Sequence, residues 1–208
     1  MDIKTVKNEK DIDKLVKFFE EVFSEFTIID EHSLLAKKEM MMSQFKEKPE
    51  YIIYIEDKNK VLAALFSFYS KPTNQLIVGV IGVDKENRYK GLGSKLLDEI
   101  SKRAKKNKIN SIYLTSKTIN YDFYIKNGYK PVLNYVVFDY ISKEDLERFN
   151  RYGFELYDYY IYEYKMDGKD KKSTRVKYIV PYPKEEYLTY YNRLYDNSSA
   201  SYSFVKEL

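Results

Sequence analysis

Residues 80–97 read VIGVDKENRYKGLGSKLL, and this stretch decides how the rest of the sequence is interpreted. An apolar run typical of a buried strand passes into a polar turn, and the turn opens into a helix whose leucines recur at helical spacing. The N–H groups at a helix start have no carbonyl partner within the helix and attract anions. Gly91 and Gly93 carry no side chain that would keep an anion away. The stretch therefore predicts an anion-binding turn between a strand and a helix.

Two well-known nucleotide loops do not fit this turn. The loop of nucleoside triphosphatases ends in Gly-Lys-Ser/Thr, which the sequence lacks here, and a dinucleotide fold needs a third glycine and an acidic residue at the next strand end. Gly91 and Gly93 are also compatible with a purely structural strand-to-helix turn. The turn alone does not name a ligand.

Hydrophobic periodicity predicts alternating helices and strands on both sides of the turn. The elements expected before it are a strand, two helices and a three-stranded antiparallel meander, at 3–6, 12–26, 34–45, 51–56, 61–69 and 75–83. Those expected after its helix are a strand, a short helix, a strand, a helical turn, a strand, a polar linker, a strand and a final helix, at 111–115, 120–126, 132–140, 144–150, 156–165, 166–173, 176–180 and 187–195.

Composition excludes several classes of protein. The 208 residues include no cysteine and one histidine, His32, so disulfides, a thiol nucleophile and multi-histidine metal sites are excluded. No stretch approaches the ~20 apolar residues of a membrane span, and no secretion signal is evident, so we expect a cytoplasmic protein without a membrane or metal partner. The net charge of +4 is too small to indicate a dedicated nucleic-acid binder.

Two motifs in the sequence resemble those of one family. Arg88-Tyr89-Lys90-Gly91-Leu92-Gly93 resembles the acetyl-CoA signature of the GNAT superfamily, Arg/Gln-x-x-Gly-x-Gly/Ala. Phe123-Tyr124-Ile125-Lys126-Asn127-Gly128-Tyr129 resembles that family's Phe-Tyr-x-Lys-x-Gly-Phe block. The resemblance covers residues 1–165 and is strongest over 78–131.

The resemblance implies a fold and an activity. The fold is α/β (α+β), a mixed, twisted sheet of about seven strands flanked by helices. Residues 1–167 would form the acyltransferase domain, and 168–208 a C-terminal extension that docks on this domain or on a partner. The activity is transfer of an acetyl group from acetyl-CoA to an amine, by direct attack in a ternary complex.

The resemblance also assigns residues to roles. Tyr124 would be catalytic, as the general acid beside the thioester sulfur. The residues assigned to acetyl-CoA are Ile81, Val83, Arg88, Tyr89, Lys90, Gly91, Leu92, Gly93, Ser94 and Asn120. The asparagine that the family often has seven residues before the tyrosine is Lys117 in this sequence.

The general base and the acceptor stay open at this point. The strand at 75–83 lacks the acidic residue that is frequent in the family, which leaves Glu31, His32 and Asp84 as candidates. A missing strong base favours an amine of low pKa or a proton that is relayed through water. The acceptor is expected at the first two helices, the loop at 27–33 and the strand after Pro131.

Two rival interpretations remain. One is a regulatory module that binds acyl-CoA without turnover. The other is an acyltransferase whose acceptor is a macromolecule such as a protein or a nucleic acid, with the tyrosine-rich tail as a docking or dimerisation arm. A homodimer is compatible with this second interpretation.

Overall fold

The structure is a computed structural model, and it describes residues 2–24, 31–117, 120–138, 155–179 and 199–208. The chain divides into two compact units, Met1–Ile112 with Glu207–Leu208, and Tyr113–Lys206. Within the described ranges, every helix is too short or too polar to cross a membrane.

The first unit combines an antiparallel sheet with three helices. Its elements in chain order are β1 (Ile3–Thr5), α1 (Glu9–Ser24), α2 (Glu31–Glu47), β2 (Ile52–Asp57), β3 (Lys60–Ser70), β4 (Gln75–Val83) and α3 (Leu92–Lys106). The four strands lie in the order β1-β2-β3-β4, and each neighbouring pair is antiparallel. The predicted three-stranded meander is therefore confirmed.

Helix α1 covers this sheet with one apolar face. Ile12, Leu15 and Phe19 recur at helical spacing and are buried. A Cβ built on Gly82 of β4 would lie 3.4 Å from the Phe19 ring and 3.3 Å from Val22. The absence of a side chain at Gly82 thus lets α1 approach β4 closely, just before the turn that leads to α3.

Helix α3 is held by a buried apolar face in its first half and by hydrogen bonds near its C-terminal end. Leu96, Leu97 and Ile100 are fully buried and belong to the apolar face that the sequence predicts. Near the other end, Arg103 Nη1 donates to Thr5 Oγ1 at 2.7 Å and to the Glu50 carbonyl at 2.8 Å. These contacts fix the direction in which the N-terminus of α3 points.

The second unit is a sheet with one short helix. Its elements are β5 (Ser111–Lys117, which begins in the first unit), α4 (Tyr121–Lys126), β6 (Lys130–Phe138), β7 (Glu155–Met166), β8 (Lys169–Ile179) and β9 (Ser199–Glu207). The strand order is β5-β9-β6-β8-β7. Strand β9 pairs antiparallel with β6, and β8 pairs antiparallel with both β6 and β7.

The polar stretch 166–173 is not a linker, and the expectation of one is wrong. Strand β7 ends at Met166 and β8 begins at Lys169. The two residues between them, Asp167 and Gly168, both have positive φ, at 54° and 71°. This is the backbone that a two-residue hairpin turn of the Asp-Gly kind requires, so the charged residues that follow belong to a strand.

The mixed α/β class that the resemblance implied is confirmed, and the predicted strands and helices of residues 3–126 agree with the observed ones within a few residues. The described residues contain nine strands, because β8 and β9 arise from the segment expected to form the extension. The strand β9 was not predicted. The helical turn at 144–150 and the helix at 187–195 lie outside the described residues.

Candidate functional site

The turn between β4 and α3 is held in place by Asp84. Its backbone N–H donates to the Leu62 carbonyl at 2.8 Å, and its carboxylate accepts from Asn87 Nδ2 at 2.7 Å. The carboxylate also forms an ion pair with Lys60 at 3.3 Å. These contacts organise the start of the turn before Arg88.

The same contacts make Asp84 a weak base. Partial burial by itself would raise the pKa of this carboxyl, but hydrogen bonds from Asn87 and Lys60 outweigh it and hold the pKa below its ordinary value. A carboxylate with a lowered pKa takes up a proton less readily. Of the other candidates for the general base, the side chains of Glu31 and His32 lie outside the described ones.

We call residues 88–94 the phosphate loop. Gly91 is the N-cap residue of α3 and has a left-handed backbone, with φ 77°. A Cβ built on it would meet nothing within 4 Å, so the space above the residue is open. Tyr89 also has positive φ, at 63°, and its side chain is fully exposed. Glycine is needed at 91 for its conformation, and the space above it leaves room for a ligand.

The electrostatics of the phosphate loop favour an anion. The first turn of α3 contains no acidic residue, and its N-cap residue, Gly91, has no side chain with which to cap the helix. The first backbone hydrogen bond of the helix is donated by the N–H of Lys95 to the carbonyl of Gly91, at 3.0 Å. The N–H groups of the preceding residues, Leu92, Gly93 and Ser94, have no carbonyl partner within the helix. They and the helix dipole attract negative charge.

The side chains of the phosphate loop add positive charge. Arg88 is half-buried, and its Nε donates to the Val83 carbonyl at 3.4 Å, while Lys90 is exposed and donates to Asn87 Oδ1 at 3.2 Å. Ile81 and Val83 lie at the end of β4 that is next to the turn, and both are half-buried. The first unit therefore brings most of the residues assigned to the cofactor into one strand, one turn and one helix start.

Tyr124 lies in the second unit, in the middle of α4. It is 5% exposed, and its ring packs 5.1 Å from the rings of Phe123 and Phe204 and 5.8 Å from that of Tyr129. Burial raises the pKa of the Tyr124 hydroxyl, and a hydrogen bond with Ser116 opposes this shift. A buried phenol of this kind keeps its proton at neutral pH and can donate it.

Asn120 stands at the N-cap position of α4 and is exposed. Its Nδ2 donates to Ser116 Oγ at 3.1 Å. Ser116, near the end of β5, thus contacts a residue that the sequence assigned to the site, and it was not itself predicted. The sequence carries no motif that singles it out, and its proximity follows from the way β5 leads into α4.

We call Tyr121, Phe123, Tyr124, Tyr129, Tyr202 and Phe204 the aromatic cluster. The last two come from β9 and contact the α4 rings, with Tyr121 5.3 Å from Tyr202 and 5.7 Å from Phe204. The Tyr129 hydroxyl is buried and has no hydrogen-bond partner among the residues that the structure describes. Burial, together with the nearby Tyr124, raises the pKa of Tyr129. The sequence did not lead us to place Tyr202 and Phe204 near Tyr124, although their alternation with serines is typical of a strand.

Comparison with known proteins finds a family that part of the chain resembles. Residues 48–131 match the family model described as an acetyltransferase (GNAT) domain. That segment of the chain is similar to the GNAT superfamily. The matched segment contains the whole phosphate loop as well as Ser116, Asn120 and Tyr124.

A curated relative is more specific in its name. A protein of Amsacta moorei entomopoxvirus, provisionally named a glycylpeptide N-tetradecanoyltransferase, is 29% identical to this chain over 164 residues. The match covers 65% of this chain and 54% of the relative, so the chain spans about half the length of that protein. Both matches indicate acyl transfer as the general chemistry.

Solved structures support the fold. An acetyltransferase of the GNAT family from Staphylococcus aureus Mu50 has a TM-score of 0.54 at 18% identity, covering 84% of this chain and 99% of that one. The PaiA N-acetyltransferase of Thermoplasma acidophilum, solved in complex with coenzyme A, gives 0.48 at 16% identity, covering 84% and 98%. The likeness to the Staphylococcus aureus protein shows the GNAT fold alone.

Proposed function

We propose that this chain is a GNAT-type enzyme that transfers an acyl group, in the first place acetyl, from an acyl-CoA to an amine. One observation carries the proposal: the uncapped start of α3, with open space above Gly91, lies inside the segment that matches the acetyltransferase family. An uncapped helix start without acidic neighbours suits the pyrophosphate of coenzyme A.

The residues of the phosphate loop would bind the cosubstrate. The N–H groups of Gly93 and Ser94 would donate to the pyrophosphate, with Arg88 and Lys90 adding charge. The main chain at Ile81 and Val83 would hold the pantetheine arm and polarise the thioester carbonyl. Tyr89, Leu92 and Asn120 complete the proposed binding set.

Tyr124 would act as the general acid. When the tetrahedral intermediate collapses, the leaving thiolate has a conjugate acid of pKa about 8.5, while an ordinary tyrosine has about 10. Transfer of the proton is therefore slightly uphill in water. It becomes useful when the thiolate is in a dry site and has no other donor, which is the kind of environment that surrounds Tyr124.

The acceptor is proposed to be an α-amine. Deprotonating a lysine of pKa about 10.4 at pH 7 costs about 4.6 kcal/mol, whereas an α-amine of pKa about 8 costs about 1.4 kcal/mol. Asp84 is the candidate base whose side chain the structure describes. Because its pKa is lowered, its carboxylate is poorly suited to take a proton from the amine. The name of the viral relative includes the word glycylpeptide, and this agrees with an N-terminal amine as the acceptor.

The same name favours a second candidate for the acyl group. Tetradecanoyl is a chain of fourteen carbons, and the relative that carries this word in its name shares 29% identity with the chain. A series of acyl-CoA donors from acetyl to tetradecanoyl distinguishes the two, because the preferred donor has the highest kcat/KM. A preference for long chains would replace acetyl in the proposal and leave the acyltransferase class unchanged.

The experiment that tests the function follows release of free thiol from acetyl-CoA. The acceptors are a glycine-initiated peptide, the same peptide with a blocked N-terminus and one internal lysine, a polyamine, free amino acids and RNA. We expect turnover with the first peptide and little with the blocked one. Turnover only with the lysine peptide or a polyamine would contradict the α-amine proposal, and binding of acetyl-CoA without any turnover would favour a regulatory module.

A further inference from the structure

The first unit contains a cavity of about 260 Å³ to which the function proposed above gives no role. Three elements form its wall: one face of α1, the turn between β2 and β3, and the turn that follows β4. Arg88 lines the cavity and is also the first residue of the phosphate loop. A ligand in the cavity would therefore lie next to whatever the loop binds.

The inner side of the cavity is apolar. Phe18 and Val61 are each 6% exposed, and Val22 is half-buried. A surface of this kind packs against the ring or sugar of an organic molecule and adds little to the binding of a bare ion. Pockets for drug-sized ligands measure roughly 300–1,000 Å³, so this cavity fits a smaller molecule.

The remaining lining of the cavity is mostly charged. Its five cations are Lys14, Lys17, Lys60, Lys85 and Arg88. Its two carboxylates are those of Glu21 and Asp84. An excess of cations around a cavity predicts an anionic ligand, provided that the carboxylates of the protein do not neutralise them. The contacts of each cation therefore decide what the cavity can bind.

Two of the five cations are paired with carboxylates of the first unit. Lys60 Nζ lies 3.3 Å from Asp84, and a further carboxylate lies 3.6 Å away. Lys14 Nζ lies 2.7 Å from Glu56 and 3.8 Å from Asp11, and the first of these contacts joins α1 to β2. Both lysines contribute to the fold, so they are poor candidates for binding a ligand.

The other three cations are Lys17 on α1 and Lys85 and Arg88 on the turn after β4. Lys17 is exposed and forms no ion pair within the described ranges of the chain. Opposite these three cations, the lining offers one further carboxylate, that of Glu21. A ligand with more than one negative charge suits such a lining.

We propose that this cavity is a second phosphate site, which binds the phosphomonoester group of a nucleotide and packs the nucleoside on Phe18 and Val61. At neutral pH a phosphomonoester carries about −1.5 to −2 charges and three acceptor oxygens, so it can accept hydrogen bonds from more than one of the three cations. A carboxylate brings a single charge and two oxygens. The site involves no catalytic step, so it goes beyond the proposed function and can be tested apart from it.

Two kinds of molecule carry this group. Coenzyme A has a 3′-phosphate on the same ribose as its pyrophosphate, so an acyl-CoA on the phosphate loop would bring the group to the neighbouring cavity. A separate nucleotide, bound beside the acyl-CoA, is the other source. The two differ in a measurable way, because removal of the 3′-phosphate weakens the binding of acyl-CoA only in the first case.

The test compares the dissociation constants of acetyl-CoA and acetyl-3′-dephospho-CoA for the full chain, measured by isothermal titration calorimetry at one salt concentration. If coenzyme A supplies the phosphate, the parent should bind acetyl-CoA about 10-fold more tightly, as expected for hydrogen bonds to a charged group. In Lys17→Gln/Lys85→Gln this advantage should fall to about 2-fold, while the affinity for the dephospho compound stays at the parent value.

A separate nucleotide gives another pattern. The two thioesters then bind equally, and adenosine 3′-monophosphate binds to protein saturated with the dephospho thioester, about 10-fold more weakly in the double variant. The same nucleotide is also titrated into protein without a thioester. That measurement tests the cavity even where acetyl-CoA fails to bind, so a failure of the proposed function is recognised separately.

The matched control is Lys10→Gln. Lys10 is an exposed lysine of α1 that does not line the cavity. It should leave every affinity at the parent value, whereas Lys17→Gln should weaken phosphate-dependent binding about 3-fold. Equal losses in the two variants would overturn the proposal, because they would reflect net charge alone. A parent protein that gains no affinity from the phosphate in either arm would overturn it as well.

Discussion

The phosphate loop of the first unit is held by main-chain bonds and polar side chains close in sequence, whereas the aromatic cluster of the second unit joins residues far apart along the chain. Most contacts of the loop lie between Val83 and Lys95, and Asp84 also contacts Leu62 and Lys60 of β3. In the cluster, Tyr124 packs on Phe204 at 5.1 Å. A site of the first kind depends on local backbone conformation, and one of the second kind depends on strand pairing.

The comparison suggests which perturbations each region tolerates. A residue that is fully exposed, such as Tyr89, can change in the loop without loss of packing. In the cluster, buried rings contact one another, and removal of one leaves a cavity beside the others. Four substitutions test this contrast, from the largest expected effect to the smallest.

Phe204→Ala should have the largest effect. Phe204 is fully buried on β9 and contacts the rings of Tyr121, Tyr124 and Tyr202. Truncating a buried phenylalanine costs about 3–5 kcal/mol of unfolding free energy. Urea unfolding measures the loss, and Val205→Ala, at the half-buried neighbouring position, should cost clearly less. Equal losses would show that the cluster is no better packed than the rest of β9.

Gly91→Val should abolish the stabilisation of the protein by acetyl-CoA. At a hundredfold excess over its Kd the ligand adds about 2.7 kcal/mol, which a thermal melt detects. Valine is strained at φ 77° and its side chain would enter the open space above the loop.

Gly168→Val is the matched control for this substitution. Gly168 has φ 71° and equally open surroundings, but it lies in the turn between β7 and β8. Both variants should lose similar intrinsic stability, while only Gly91→Val loses the response to acetyl-CoA. If Gly168→Val also lost it, strain rather than ligand binding would explain the result at Gly91.

Tyr124→Phe should lower kcat about 100-fold, within the usual range for a positioned acid, and leave binding of acetyl-CoA intact. The substitution removes the hydroxyl and keeps the ring, so the cluster remains packed. The measurement is kcat with the best acceptor beside a thermal melt with acetyl-CoA. A parent-like rate would mean that Tyr124 only packs and that the proton comes from water or from the acceptor.

Tyr129→Phe is the control for that experiment. Its hydroxyl is buried without a partner in the described ranges, so removing it relieves a desolvated polar group. We expect a parent-like kcat and an unfolding free energy about 1 kcal/mol higher. A fall in kcat equal to that of Tyr124→Phe would assign the acid to Tyr129 instead.

Tyr89→Gly should have the smallest effect and the opposite sign. A bulky residue with φ 63° is strained by about 1–2 kcal/mol, and glycine relieves this while losing about 0.5–1 kcal/mol through its more flexible unfolded chain. The net gain without ligand should be about 0.5–1 kcal/mol by urea unfolding. Tyr89→Ala keeps the strain and should change little, so a gain in both variants would point away from the backbone.

The contrast also explains which features could be predicted from the sequence. The phosphate loop is a local pattern, since a strand, two glycines and a helix follow one another within residues 80–97. The helical faces of α1 and α3 are similarly local. Their apolar residues recur at fixed spacing, and the structure buries them as expected.

Features that depend on distant residues were not predictable in the same way. Ser116 contacts Asn120 only because β5 is followed directly by α4, and nothing in a lone serine announces such a contact. The partners of Tyr124 on β9 require a strand pairing, and the small serines of that strand weaken its hydrophobic signal. In contrast, Asp167-Gly168 was a hairpin signal that the surrounding lysines obscured.

The position of β9 has a consequence for biosynthesis. In the finished sheet it lies between β5 and β6, but it is made after β7 and β8, about 60 residues beyond Phe138. At roughly 5–20 residues per second the ribosome needs about 3–12 s to add these residues. During this interval the edge of β6 that β9 will occupy has no strand to pair with, and α4 lacks the rings of Tyr202 and Phe204. The nascent chain therefore exposes an open strand edge beside aromatic surface for seconds, and this is the stage at which a chaperone would have most to protect.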